Sequence, residues 1–264
     1  MECLLPSHEK FTCKIFTFEN KAKFIICSGN NMSPENSGEK LKILALHGYR
    51  QNGETFRQKT GSFRKTVQKW AQFTYITAPH KVVNENNEKE IVSDVGDGTN
   101  EEQYSWWFNK ENNSFRGTVK GGPAVGFEES LILVEKAFKE FGPFDGILGF
   151  SQGACFVGIL CSMQQLGLLS YHFSFAIMAA GFPSYSLPHV NYYSDKIKLP
   201  SLHIFGEQDD IIPRVMSEEL RDIFENPVTV IHPGKHYLPA SAPQKQPYQS
   251  FIKKIVLQKQ STSA

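Results

Sequence analysis

Short, dense apolar runs recur along this chain, and longer stretches with apolar residues three and four positions apart lie between them. The runs at 41–46, 73–78, 144–150, 173–179, 201–205 and 228–231 have strand character, and Pro79 stops the second of them. Helical spacing appears at 54–71, with Phe56, Phe63, Val67 and Trp70 as the inner face and Gly61 interrupting it. It appears again at 123–141, where Phe127, Leu131, Val134 and Phe138 share a face and Gly142-Pro143 ends the helix. Further helices are predicted over 154–166, 216–224 and 248–257. A strand exposed on one face alternates apolar with polar residues. These strands are apolar almost throughout, so both of their faces are covered. Strands of this type alternating with helices predict an α/β fold, with a mostly parallel central sheet and helices on both faces.

Two stretches depart from the pattern. Residues 1–40 carry strand signals at 11–18 and 23–27, then a polar, turn-rich run at 28–40. They read as a partly flexible N-terminal appendage ahead of a single domain at 41–264. Residues 84–121 form a long polar connection that contains Trp106-Trp107-Phe108 and Phe115. Connections of that length in a compact domain are often lids or binding elements.

The bulk composition narrows the functional classes. A chain of 264 residues with net charge +1 has no electrostatic case for nucleic acid, and no basic tract suggests one. No apolar run is long enough for stable membrane insertion. The five cysteines have no framework spacing, which suggests reduced thiols in a cytoplasmic, or also nuclear, compartment. No CxxC or HExxH pattern supports a metal. Oligomeric state is not legible.

The strand at 144–150 leads directly into Gly149-Phe150-Ser151-Gln152-Gly153, a G-x-S-x-G motif, and a helix follows. That context makes a nucleophile elbow. Ser151 sits at a tight turn where the chain passes close to itself, so Gly149 and Gly153 have no side chain to clash. The helix N-terminus behind it favours developing negative charge.

A serine hydroxyl needs a base, and the base needs a carboxylate to orient it. In a fold of this kind the order along the chain is serine, acid, histidine. An acidic turn, Gly206-Glu207-Gln208-Asp209-Asp210, follows one late strand, and His232-Pro233-Gly234-Lys235-His236 follows the last. Asp209 is favoured over Asp210, because Asp210 lies one step nearer Ile211-Ile212, where the chain turns back inward. His236 is favoured over His232, because Pro233-Gly234 turns the chain outward and puts His236 on the loop. His232 and His203 read as strand-end histidines satisfied locally. An oxyanion hole is expected from the backbone N–H groups of Gln152 and Tyr49, with Gly48 permitting close approach.

With these residues in place the chain resembles the FSH family of serine hydrolases, which have the α/β-hydrolase fold. The resemblance rests on 46–51 (Leu-His-Gly-Tyr-Arg-Gln), 56–61, 106–108, 126–131, 142–154, 199–205 and 234–239, in order. It implies hydrolysis of carboxylic esters without a cofactor, a preference for long alkyl chains in the animal branch, and triad positions at Ser151, Asp209 and His236. Lys235 stands where the family often has glycine, and residues 1–40 have no counterpart.

The expected substrate is therefore a small-molecule ester with a long chain. Trp106, Trp107 and Phe182 are candidates to line an apolar trough, although such aromatics equally serve to pin long loops. An acyl-protein or acyl-CoA thioesterase would use the same triad. A non-catalytic ligand-binding protein on the same fold is the reading from a different class. A serine-directed fluorophosphonate probe separates it from an enzyme.

Overall fold

The computed structural model describes residues 11–17, 23–29, 39–83 and 102–263. In chain order the strands are β1 (Phe11–Thr17), β2 (Lys23–Gly29), β3 (Leu41–Leu46), β4 (Ala71–Ile76), β5 (His80–Lys81), β6 (Tyr104–Ser105), β7 (Gly146–Phe150), β8 (Phe175–Ala179), β9 (Ser201–Gly206) and β10 (Val228–His232). The helices are α1 (Gly53–Lys59), α2 (Gly61–Val67), α3 (Phe127–Phe141), α4 (Gln152–Gln165), α5 (Arg214–Ile223) and α6 (Ala242–Ser263), with a 3-10 helix at Leu187–Tyr193.

An eight-stranded sheet has the order β1-β2-β4-β3-β7-β8-β9-β10. From β4 to β10 every neighbouring pair is parallel. The segment before residue 41, read from sequence as an appendage, supplies β1 and β2 to the edge of this sheet. They pair antiparallel with each other, and β2 pairs antiparallel with β4. β5 and β6 form a separate small ladder.

The near-continuous apolar character of the strands has the expected cause. Along β3, Leu44 and Leu46 enter one core with Val134, Phe156 and Leu220 from α3, α4 and α5. Ile43 and Ala45 enter a second core on the opposite face, with Phe56, Phe63 and Ile252 from α1, α2 and α6. Strand side chains alternate between faces, so a sheet covered twice must be apolar at every position.

Two helices differ from their sequence expectation. The helix predicted over 54–71 is broken at Thr60 and ends at Val67. Thr60 Oγ1 reaches back to Phe56 O at 2.8 Å and bonds the buried Tyr75 hydroxyl at 2.7 Å. This partner on β4 holds the chain at a corner. Ala71 then pairs with Leu41 and opens a strand. The last helix, predicted over 248–257, runs from Ala242 to Ser263 and contains Pro247. Proline removes one backbone donor near the start of the helix. The buried Tyr248 hydroxyl donates to Pro239 O at 2.9 Å and anchors that end. Of the long polar connection, 84–101 lies outside the described residues. Among the described residues, no helix is long and apolar enough to cross a membrane.

The consequence for function is positional. His47-Gly48, Ser151, Phe182, Asp209 and His236 all follow the C-terminal ends of parallel strands, on one edge of the sheet. Sites in such sheets gather there.

Candidate active site

Ser151 links β7 to α4 with φ 52° and ψ −116°. A non-glycine residue in that region carries about 1–3 kcal/mol of strain, so the surroundings must impose it. They do so by hydrogen bonding on both sides. Ser151 N–H donates to Ala179 O at the end of β8, and Ser151 O accepts from Cys155 N–H in α4, each at 2.9 Å. The flanking glycines are required sterically. A Cβ on Gly149 would lie 2.4 Å from Gly153 O, and one on Gly153 would lie 2.3 Å from Leu46 O.

The loops after β9 and β10 are joined. Asp209 Oδ2 lies 2.7 Å from His236 Nδ1, and the Asp209 carboxylate is 1% exposed. Its other oxygen, Oδ1, accepts from the N–H groups of Ile211 and Ile212 at 3.0 and 2.8 Å. An ionised carboxylate only accepts, so Nδ1 carries the imidazole proton and Nε2 is left as the basic nitrogen. The His236 ring packs on Phe150, the residue before Ser151, with centroids 4.9 Å apart. Backbone bonds lock the two loops together, with Glu207 N–H on His232 O at 2.8 Å and Gln208 N–H on Gly234 O at 3.1 Å. Asp210, the alternative acid, points outward and pairs with Lys235 Nζ at 3.1 Å.

The other sequence candidates are placed as follows. Gly48 packs against the elbow so closely that a Cβ there would lie 3.3 Å from Ser151 Cβ. Tyr49 follows Gly48 in the chain, and Gln152 follows Ser151. Trp106 and Trp107 are fully buried, and Phe182 is 1% exposed. Trp106 Nε1 donates to His47 O at 2.8 Å, and the Trp107 ring meets Phe115, Phe127 and Phe156. His203 is buried beside Ser201 Oγ at 3.1 Å. His232 Nδ1 accepts from Gly234 N–H at 3.3 Å, while its Nε2 has no partner among the described residues.

Two functional side chains escaped sequence reasoning. His47 Nε2 accepts from Ala78 N–H at 2.9 Å and its Nδ1 donates to Gly48 O at 2.7 Å, which fixes the neutral tautomer. Burial holds its pKa down, to about 4. The ring therefore ties the Gly48 turn to the end of β4 without charge. The Gln152 side chain is buried and holds the aromatic connection. Its Oε1 accepts from Trp106 N–H at 3.0 Å and its Nε2 donates to Trp107 O at 2.8 Å. The sequence signal for both was their place inside the motifs, where only a strand end and a backbone donor were read.

A sequence profile described as "Serine hydrolase (FSH1)" matches residues 32–248. The chain belongs to this family. It is a serine hydrolase, and the sheet order and elbow are those of its α/β-hydrolase fold. Among its relatives are an esterase of Anopheles gambiae, 50% identical over 215 residues (81% of this chain, 78% of the relative), and Esterase OVCA2 of Xenopus tropicalis, 46% identical over 217 residues (82% and 94%). Acyl-protein thioesterase 2 of Zea mays shares the fold, with a TM-score of 0.59 at 17% identity over 85% of this chain and 97% of that one. The sequence resemblance to the FSH family thus holds, as does the expected fold class.

Proposed function

We propose that this FSH1-family hydrolase is a carboxylesterase acting on esters with long alkyl or acyl chains, with Ser151 as nucleophile, His236 as base and Asp209 as the orienting acid. The observation that carries the reading is the pairing of a serine held at positive φ with a buried Asp209–His236 hydrogen bond of 2.7 Å on the adjoining loops. His236 Nε2 takes the Ser151 proton as Oγ attacks the ester carbonyl. The N–H groups of Tyr49 and Gln152 stabilise the oxyanion. The intermediate collapses with cleavage of the ester C–O bond, and the leaving alkoxide takes the proton from His236. Water then attacks the acyl-serine by the same route and releases the carboxylic acid.

Support for a long apolar chain comes from the rings gathered beside the elbow. Phe115 contacts Tyr49 at 5.6 Å and Trp107 at 5.3 Å between centroids, and lies 6.3 Å from Phe182. Trp106, Trp107 and Phe182 form the packed wall behind Phe115 in this reading. The buried, reduced Cys155 and Cys161 fit a cytoplasmic or nuclear location.

The test is hydrolysis of p-nitrophenyl esters from acetyl to palmitoyl by the wild type and Ser151→Ala. A Ser151-dependent rate that climbs with chain length supports the proposal. A Ser151-dependent rate confined to short chains removes the long-chain preference. Equal rates in both proteins remove the enzyme reading and leave the binding protein. The same series with acyl-CoA substrates separates ester from thioester preference.

A further inference from the structure

The described connection after β6 includes a small closed loop, 109–122, whose neck is built by one side chain. Asn109 is 4% exposed, and its Oδ1 accepts from Arg116 N–H while its Nδ2 donates to Arg116 O, both at 3.0 Å. Its own N–H donates to Ser114 O at 3.1 Å. At the far end the chain turns through Gly121 and Gly122, at φ 78° and 86°. Asn109 thus closes the segment 109–116 on itself, and at the far end Gly121 N–H donates to Tyr185 O and Gly122 O accepts from Leu187 N–H, each at 2.9 Å.

Its tip packs against side chains that adjoin the proposed catalytic centre. Phe115 packs on the ring of Tyr49, the oxyanion candidate. It also packs on Trp107, whose carbonyl is held by the side chain of Gln152, next to the nucleophile. Gly117 sits so tightly that a Cβ there would lie 2.8 Å from both Phe182 Cζ and Ile212 Cδ1. Ile212 is the residue whose N–H holds Asp209. Segments after β3, β6, β8 and β9 therefore converge beneath 115–117, at the sheet edge where sites of such folds gather.

Two further facts mark this packing as an interchangeable filling rather than a finished core. Phe115 is the only aromatic ring in the loop and is only half-buried. Two of the rings it covers have buried polar atoms, Tyr49 Oη and Trp107 Nε1, without a hydrogen-bond partner among the described residues. Native cores pair such atoms, and exceptions cluster where structure serves function.

We propose that Phe115 is a plug occupying the acyl-chain trough of this enzyme, and that its displacement with loop 109–122 sets the preference among chain lengths. The inference rests on the esterase reading above. A short acyl group reaches Ser151 past the seated plug, whereas a long one has to push it out. The energy spent on displacement is subtracted from the binding of long chains.

The experiment compares kcat/KM for p-nitrophenyl laurate and p-nitrophenyl acetate in the wild type, Phe115→Ala and Gly117→Ala. Removal of the plug raises the laurate-to-acetate ratio by about fivefold or more, a change the size expected for opening apolar space in a pocket. Gly117→Ala raises the ratio in the same direction, because its Cβ lifts the loop from Phe182 and Ile212, and it serves if Phe115→Ala fails to fold. A ratio that falls makes Phe115 a wall the chain rests on and overturns the plug. A ratio unchanged in both variants places the loop away from the chain and also overturns it. Absence of Ser151-dependent hydrolysis in the wild type defeats the esterase reading itself, a result distinct from either.

Discussion

Around Ser151 the buried backbone is paired and the spacing admits no added atom. Ser151 N–H and O, His47 at both ring nitrogens, and the Gln152 amide all have partners within 3.3 Å. Around Phe115 the contacts are ring against ring, and Tyr49 Oη and Trp107 Nε1 go without partners among the described residues. In the proposed mechanism the first region holds the reacting atoms, and hydrogen bonds and glycine contacts define a single geometry there. The second is where the proposed plug meets an apolar chain, and dispersion contacts between rings can be exchanged for contacts with a ligand at little cost. Precision at the chemistry and exchangeability beside it are thus built from different interactions.

That contrast is tested most sharply with glycine. Gly153→Ala drives a Cβ into the Leu46 and His47 carbonyls, at 2.3 and 2.5 Å, where only backbone can yield. It should cost about 4 kcal/mol, near the upper end for single substitutions. Gly121→Ala, in the 109–122 loop, meets nothing within 4 Å and has only its φ of 78° to strain. It should cost about 1 kcal/mol. Urea unfolding of both reads the difference, and equal costs would erase the comparison.

Acid should strike the paired region next. His47 and His203 are buried and held neutral, with pKa lowered from 6.5 to about 4 and about 3 by desolvation, His203 also by Arg221. The unfolded chain binds protons at these sites from pH 6.5 downward and the folded chain does not. Their contribution is whole above 6.5 and is lost as pH falls toward the folded values, roughly 3 kcal/mol for His47 and roughly 5 kcal/mol for His203. His203→Gln should flatten the loss of stability between pH 6.5 and 4 by about 1.4 kcal/mol per pH unit. An unchanged slope would mean that the folded protein protonates His203.

Gln152→Leu separates the two regions. It keeps the backbone N–H beside Ser151 but strands Trp106 N–H, while Trp107 O loses one of its two donors and keeps Ser105 Oγ at 2.6 Å. Thermal unfolding should show a loss of about 2 kcal/mol. A loss below half of that would show the aromatic connection standing without its anchor. The smallest effect is expected at Lys235→Ala. Its pair with Asp210 is exposed on both sides, at 61% and 55%, so solvent screens it and stability should barely change. A large fall in kcat there would give Lys235 a part in holding His236 that exposed pairs do not ordinarily have.

Much of this was written in the local sequence. The six parallel strands are legible because a sheet covered on both faces needs apolar residues at every strand position, and such runs stand out. The elbow is legible because close backbone approach demands Gly149 and Gly153 at fixed offsets from Ser151. Asp209 and His236 follow from chain order and from the turn at Pro233-Gly234. Tertiary structure alone decided the rest. The corner at Thr60 exists because the Tyr75 hydroxyl, fifteen residues away, receives its side chain. His47 is neutral because packing buries it completely, with Ala78 N–H brought to its Nε2. Gln152 is an anchor because Trp106 and Trp107, more than forty residues earlier, lie against it. A strand or a glycine turn is dictated by neighbours along the chain, so sequence reports it. The partner of a buried polar atom is set by where distant segments meet, which no local pattern encodes.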